Sequence, residues 1–503
     1  MGFKRLWRII ELWLIIIFLL VLAIRLYIAF QTPYFNYEAY YSLRQAENIH
    51  NTGLPLFNDP LSYGGKTGLF APLQYYILAV FSFLLPIDIV AKILPNIFAS
   101  LIIIVVYFLS LRITKSPKIS LLTSFMAGFI PILFFDINRV PVDYLAILLV
   151  FSIIYCMFKI NERRYVDYIL ILIFLLVLTT PLSFILIIGL LFYMLLLKLE
   201  NLNIETKESE IILFFTFLVF WVNLLIYKNA FLKHGLAVIW QNTPIALLSN
   251  TFESITLFES FYTISIIPLI LGIYAGYIAF YKEKNKEILL LIGFGISSFL
   301  LLWFKLLSLV TGLVFLSLTL VILSAFSIKN ISEFIEKTKF HRHETLFLVI
   351  LIALFIITAI IPSVMVGIER TKQTPTTSDL VVLEWASERL PADATIAATM
   401  EEGNMVSYYS RRKNIMDDNF LLTPNIDQRL SDVDSIFTTN FETQAVSVLN
   451  KYDSKYVFLS SYAIQKYHIK TLSYVGDQEC FTDIYHLNVT VLYNTKCKIT
   501  SEQ

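Results

Sequence analysis

The segment Ile9–Phe30, IIELWLIIIFLLVLAIRLYIAF, decides the class of fold. It is 22 residues long, carries only Glu11 and Arg25 as charges, and follows Lys4, Arg5 and Arg8. An apolar helix of that length crosses a bilayer, and the lack of a small-residue cleavage site behind it marks a retained first span, not a removed leader. The pattern recurs. Apolar runs at residues 89–111, 119–135, 143–159, 167–180, 182–197, 210–227, 262–281, 287–304, 306–326 and 344–365 bring the expected spans to about eleven. Composition agrees: of 503 residues, 57% are apolar and only 15% charged, with a mean hydropathy of +0.71, where a soluble domain has roughly a quarter charged. A soluble enzyme is excluded. Nucleic-acid binding on a broad basic face is excluded too, because 39 Lys plus Arg balance 38 Asp plus Glu with no cluster able to neutralise a run of phosphates. Three cysteines without C-x-x-C spacing rule out a disulfide-rich scaffold.

Charge then orients the chain. Pro72–Leu85 is apolar but only about 14 residues long and bounded by Pro72 and Pro86, which is short for a span. If it lies on the outer membrane surface, the basic residues Arg112, Lys115, Lys118, Arg163, Arg164, Lys198, Lys207, Lys282, Lys284, Lys286, Lys329, Lys337, Lys339 and Arg342 all fall in the cytoplasm, as the positive-inside rule requires. An odd number of spans sends the C-terminal segment to the other side. The expected organisation is a multi-pass plasma-membrane protein with a cytoplasmic N-terminus. Its transmembrane domain covers residues 1–366 with external loops 31–88, 136–142 and 228–261, and an extracytoplasmic α/β domain covers 367–503. In that domain Asp379–Arg389 reads as an amphipathic helix, and Thr395–Thr399, Tyr456–Ser460 and Thr490–Tyr493 read as strands. Cys480 and Cys497 share a compartment that permits a disulfide, and both the bond and two free thiols stay open.

Function in a membrane protein concentrates in ordered loops, and two loops hold suitable residues. The first reads Phe35-Asn36-Tyr37-Glu38-Ala39-Tyr40-Tyr41-Ser42-Leu43-Arg44, then Asn58-Asp59-Pro60-Leu61-Ser62-Tyr63-Gly64-Gly65. If it is helical, Glu38 and Arg44 lie on nearby faces, and a solvated ion pair is the plainest reading. The second reads Asp136-Ile137-Asn138-Arg139-Val140-Pro141-Val142-Asp143. Asp143 opens a span, where a carboxylate serves as an N-cap as readily as a reactive group, and Arg139 can snorkel at the interface. Arg25, near the outer end of the first span, must either snorkel or face the bundle, towards Glu38.

Taken together, Glu38-Ala39-Tyr40-Tyr41-x-x-Arg44, Asp59-Pro60 followed by Tyr63 and Gly64, and Pro72-Leu73-x-Tyr75-Tyr76 resemble the first external loop of GT-C glycosyltransferases, in particular the catalytic subunit of prokaryotic oligosaccharyltransferases. Glu401-Glu402-Gly403-Asn404-x-Val406-x-Tyr408-Tyr409-x-Arg411, with Asp417-Asp418-Asn419-Phe420 after it, is similar to the start of that family's extracytoplasmic domain. Two departures stand out. Glu38 replaces the family's usual Asp, and Thr399-Met400-Glu401 stands where its Trp-Trp-Asp motif would fall.

The resemblance implies a polytopic α-helical membrane enzyme of GT-C type that passes a sugar from a polyprenyl-phosphate-linked donor to an extracytoplasmic protein or glycolipid acceptor. It implies Glu38 and Asp143 as catalytic carboxylates, with Asp136 as a weaker candidate. Arg44, Arg139 and Lys305 are the candidates for the donor phosphate, Lys305 because the family often places a basic residue in that turn. Glu38, Asp143, Asp136 and Glu253 would make a hard oxygen site for Mg²⁺ or Mn²⁺, although many single-sugar enzymes of this type need no metal. The alternatives are an oligosaccharyltransferase that moves a whole glycan to asparagine, a non-catalytic relative, and a lipid-linked sugar transporter. The last is opposed by charges that sit at the membrane boundary, not at its midplane, and by the lack of an internal repeat.

Overall fold

The apolar runs fold as helix over most of their length. The computed structural model describes residues 2–248, 256–281, 284–338, 344–476 and 479–498. In it α1 (Gly2–Ala29) is followed by two helices of the first loop, α2 (Ala39–Thr52) and α3 (Leu73–Ser82). The bundle continues with α4 (Ile87–Thr114), α5 (Pro117–Gly128), α6 (Asp143–Met157), α7 (Arg163–Val177), α8 (Ser183–Leu199), α9 (Thr206–His234), α10 (Leu257–Ile264), α11 (Ile266–Tyr281), α12 (Lys286–Trp303), α13 (Leu309–Glu336), α14 (Glu344–Phe355) and α15 (Ile361–Thr371). Among the described residues six helical segments are long and apolar enough to cross a membrane, and the α10–α11 pair, bent by 87°, adds a seventh. The rest are shorter. The run 119–135 is cut because Pro131, which lacks an N–H, opens a 3₁₀ turn over Pro131–Phe134. Pro362 breaks the ladder in the same way, and a π turn at Ile356–Ile360 joins α14 to α15.

α13 is the central helix, buried along most of its length. One end of the bundle is laced by ion pairs between the basic clusters and acids: Arg112 with Glu287 at 2.7 Å and Lys284 with Glu200 at 2.9 Å. Lys282, Lys339 and Arg342 lie outside the described residues. The other end carries the two loops and the C-terminal domain. There α3, at ten residues, is too short to span and exposes Val80 and Phe81, with Phe83 and Leu84 exposed just past its end, as a helix resting on a membrane surface does. Arg25 faces inward but not towards Glu38. It is fully buried, donates to Asn96 Oδ1 at 3.0 Å and to the Leu133 carbonyl at 2.9 Å, and sits between the rings of Phe134 and Tyr144. Through the Leu133 carbonyl it braces the segment that leads into the second loop.

In the C-terminal domain α16 (Thr377–Arg389) begins at a capping box made by Thr376 and Asp379. A five-stranded mixed sheet follows. Its central strands are Thr395–Ala397 and Tyr456–Leu459, which run parallel, and Thr490–Thr495, which pairs antiparallel with Tyr456–Leu459 and with Phe481–Leu487. Cys480 and Cys497 are joined in a disulfide next to that hairpin. The first loop is clipped to this domain. Its hairpin of Asn58–Asp59 with Lys66–Thr67 presents Ser62 to Asp417 Oδ2 at 2.5 Å and the Tyr63 N–H to Asn414 Oδ1 at 2.9 Å, while the Leu61 carbonyl accepts from the Asn414 N–H at 2.9 Å. Residues from the 228–261 loop dock on the same domain, with Asn242 donating to the carbonyls of Phe420 and Thr423.

Candidate active site

Glu38 immediately precedes α2. That helix buries Ala39, Tyr40 and Leu43, with the Tyr40 ring held against those of Tyr408 and Tyr409 at 5.5 and 5.4 Å on α17 (Gly403–Ser410). The backbone is thereby anchored, while the Glu38 side chain makes no cap hydrogen bond and stays 48% exposed. The Asn36 N–H donates to the Asn138 carbonyl at 3.1 Å, and Asn36 Nδ2 donates to the Gln373 carbonyl at 3.2 Å. First loop, second loop and the link to the C-terminal domain are tied at one point.

Facing Glu38, the second loop turns back on itself. The Arg139 N–H closes the turn onto the Asp136 carbonyl, and its Nη1 donates to Asp136 Oδ1 at 3.0 Å. Nε and Nη2 both reach Glu38 Oε2. A planar guanidinium is suited to such a bridge. Burial disfavours its charge, yet Glu38 and Asp136 more than offset that and hold Arg139 protonated above its ordinary value. Asp143, the first residue of α6, does not act as the cap: Val142 holds that position, and the carboxylate accepts from the Thr311 hydroxyl on α13. Lys305 lies six residues before Thr311 in the tight α12–α13 turn, with a left-handed φ of 55° and its carbonyl accepting from the Trp240 indole at 2.9 Å. Arg370, at the end of α15, lies over the Phe135 ring at 4.2 Å, within electrostatic reach of Arg139, Asp136 and Glu38.

The C-terminal domain roofs this cleft. A Cβ on Gly403 would fall 2.0 Å from the Met416 carbonyl oxygen, so only glycine lets α17 approach the 416–419 segment so closely. That approach places Asn404 Nδ2 2.5 Å from Asp418 Oδ1. Asp418 is half-buried beside Glu38, Asp417, Arg139 and Lys66, and burial, then Glu38 and Asp417, push its carboxyl well above the carboxylate range. Burial lowers the Lys66 amine to about 8 despite Asp417 and Asp418 nearby. Tyr75 of α3, buried, lies within reach of both Asp418 and Asp143.

Four of the residues singled out from sequence therefore meet in one cleft: Glu38, Asp136, Arg139 and Asp143. Arg44 does not join them. It is buried and ion-paired to Asp59 Oδ1 at 2.6 Å, so it braces the first loop and is closed to a lipid phosphate. Glu253 lies outside the described residues. Asp418, Tyr75, Thr311 and Arg370 were missed. Asp418 and Tyr75 had a signal, since they belong to the Asp417-Asp418-Asn419-Phe420 and Pro72-Leu73-x-Tyr75-Tyr76 stretches, neither of which was read for a site role; no local pattern marks Thr311 or Arg370.

No protein-family model and no curated protein matches the sequence. Solved structures do match the fold. The apo oligosaccharyltransferase of Archaeoglobus fulgidus superposes with a TM-score of 0.69 at 14% identity, over 97% of this chain and 75% of that one. ArnT from Cupriavidus metallidurans bound to undecaprenyl phosphate gives 0.55 at 13% identity, over 98% and 99%. The arabinofuranosyltransferase AftD from Mycobacteria gives 0.57 at 11%, over 97% of this chain and 40% of that one. The fold is that of the GT-C membrane glycosyltransferases. The cleft described above lies at the end of the bundle where loops and C-terminal domain meet. Another structure of the Archaeoglobus fulgidus enzyme is a complex with Zn and sulfate. Mg²⁺ needs its oxygens at about 2.0–2.1 Å in an octahedron. Among the described residues no three carboxylates of the cleft offer oxygens within 4.8 Å of one another, and Arg139 stands between Glu38 and Asp136. As arranged, they do not fit the ion.

Proposed function

We propose that the protein is an integral membrane glycosyltransferase that moves a sugar from a polyprenyl-phosphate-linked donor to a protein or glycolipid acceptor. The observation that carries this reading is the meeting of Glu38 with Arg139 and Asp136 under Asp418, four ionisable groups from three separate segments on a GT-C fold. In the reaction the acceptor attacks the anomeric carbon as Glu38 takes its proton. The bond from that carbon to the phosphate oxygen breaks, and the phosphate leaves with the electron pair. Arg139, bonded to Glu38 Oε2, holds that carboxylate aimed at the acceptor. Arg370 and Lys305 are assigned to the leaving phosphate, whose charge grows along the reaction. Asp143, fixed by Thr311, forms the facing wall of the cleft. The basic clusters at the far end of the bundle support a cytoplasmic N-terminus and a reaction on the extracytoplasmic face.

Transfer of a whole glycan to asparagine is the second reading, favoured by the TM-score of 0.69 to an oligosaccharyltransferase over 97% of the chain. Against it, the Trp-Trp-Asp position is filled by Thr399, bonded to Glu402 at 2.8 Å, by Met400, and by Glu401, ion-paired to Lys466 at 2.9 Å. The test is mass spectrometry of surface glycopeptides and glycolipids after deletion of the gene and its return as wild type or Glu38→Gln. A glycan one sugar shorter, restored only by wild type, is expected. Loss of whole glycans from asparagine would favour the second reading, and full rescue by Glu38→Gln would reveal a non-catalytic relative.

A further inference from the structure

We infer that Arg139 is a built-in cation that occupies the place of a divalent ion, so that this cleft binds no metal unless the guanidinium is removed. The inference deepens the reading of the same site given above.

Three observations carry it. First, the guanidinium makes the contacts a metal would otherwise make: Nε and Nη2 on Glu38 Oε2, and Nη1 on Asp136 Oδ1 at 3.0 Å. An arginine bridging two carboxylates supplies a permanent positive charge in fixed geometry, with no ligand exchange. Second, the loop is built to deliver it. Val140, the next residue, is β-branched and buried yet held at φ +54°, a left-handed conformation that such a residue rarely adopts. The Arg139 N–H is itself bonded back to the Asp136 carbonyl. Third, Arg370 adds a second positive charge beside Arg139, held over the Phe135 ring, which opposes entry of a doubly charged ion. With the guanidinium between them the carboxylates are held apart: among the described residues no three of the cleft have oxygens within 4.8 Å of one another.

The test is Mn²⁺ uptake by the purified full-length protein in detergent, followed by loss of the free-ion electron paramagnetic resonance signal. Wild type is expected to bind none at millimolar Mn²⁺, as is Arg139→Lys, which keeps the charge. Arg139→Ala is expected to bind one ion, and adding Asp136→Asn to it is expected to abolish that binding. Uptake of one Mn²⁺ by wild type that Asp136→Asn removes would overturn the inference, as would a folded Arg139→Ala that binds none. Should Arg139→Ala fail to fold, the wild-type measurement still decides. Transfer in the presence of EDTA gives an independent readout: no transfer under any condition counts against the proposed activity, whereas transfer that EDTA stops counts against Arg139 as the cation.

Discussion

Glu38 and Arg139, 101 positions apart in the chain, form an ion pair where the first and second loops meet, and Asp136 shares the same guanidinium. The pair joins a side chain that α2 sets in place to one that a strained turn delivers. Neither loop could hold such a geometry alone, because exposed ion pairs between free loops gain little. Here Asn36, bonded to Asn138 and to the Gln373 carbonyl, fixes both loops first.

Removal of the carboxylate is expected to cost chemistry, not folding. Glu38→Gln should lower the rate of sugar transfer by about 10²–10⁴-fold while the thermal midpoint of the purified protein stays within a few degrees of wild type. Single-turnover transfer from a lipid-linked donor gives the measurement, and near-normal rates would remove Glu38 from the reaction.

Arg44 and Asp59 should behave in the opposite way. Their ion pair is buried, and Asp59 also accepts from the N–H groups of Leu61 and Ser62 at 3.0 and 3.3 Å. Breaking one side of such a pair costs about 3–5 kcal/mol, so Arg44→Met should lower the melting temperature markedly and free the loop hairpin to proteolysis. At a temperature where the variant is folded, its KM for the donor should be unchanged.

Glu402 sets a pH dependence of stability. It is fully buried, and burial pushes its carboxyl from 4.5 up to about 8 against hydrogen bonds from Ser460 and Thr399. The folded protein therefore holds a proton that the unfolded chain releases, and the associated stability is complete below about pH 4.5 and lost as pH rises through about 8. Glu402→Gln, which mimics the neutral form, should flatten the decline in melting temperature between about pH 5 and 9. Parallel curves for the two proteins would show that Glu402 is not the group responsible.

Gly403→Ala forces a methyl group against the Met416 carbonyl. Such overpacking costs about 1–3 kcal/mol, and it acts on the segment that carries Asp418. Stability and transfer rate should fall together, unlike in Glu38→Gln. Wild-type transfer by a stable Gly403→Ala would show that the roof of the cleft tolerates movement.

The disulfide closes a loop with a sequence separation of 17, for which chain entropy gives about 3 kcal/mol. Replacing Cys480 and Cys497 together with serine should lower stability by about that much. Transfer should be retained, because the bond ties the ends of the Phe481–Leu487 and Thr490–Thr495 hairpin and not the loops that carry Glu38 and Arg139. Reductant should reproduce the effect in wild type and leave the double variant unmoved.

Legible in the sequence alone were the membrane bundle, the short helix near Pro72, the sheet-containing C-terminal segment with its helix from Thr377 and its strands at Thr395 and Tyr456, and the two loops that hold Glu38, Asp136, Arg139 and Asp143. All of these follow from periodicity, charge and proline, which act over a few residues and so are written locally. Tertiary structure decided the partners. Arg44 went to Asp59 because both are buried beside the loop hairpin, Asp143 went to Thr311 on a helix 168 positions further along, and Asp418 came under the roof because Gly403 lets two backbones touch. Which carboxylate ends beside which cation depends on where separate helices bring their ends, and the Coulomb energy that rewards the pairing exists only after those ends are packed out of water.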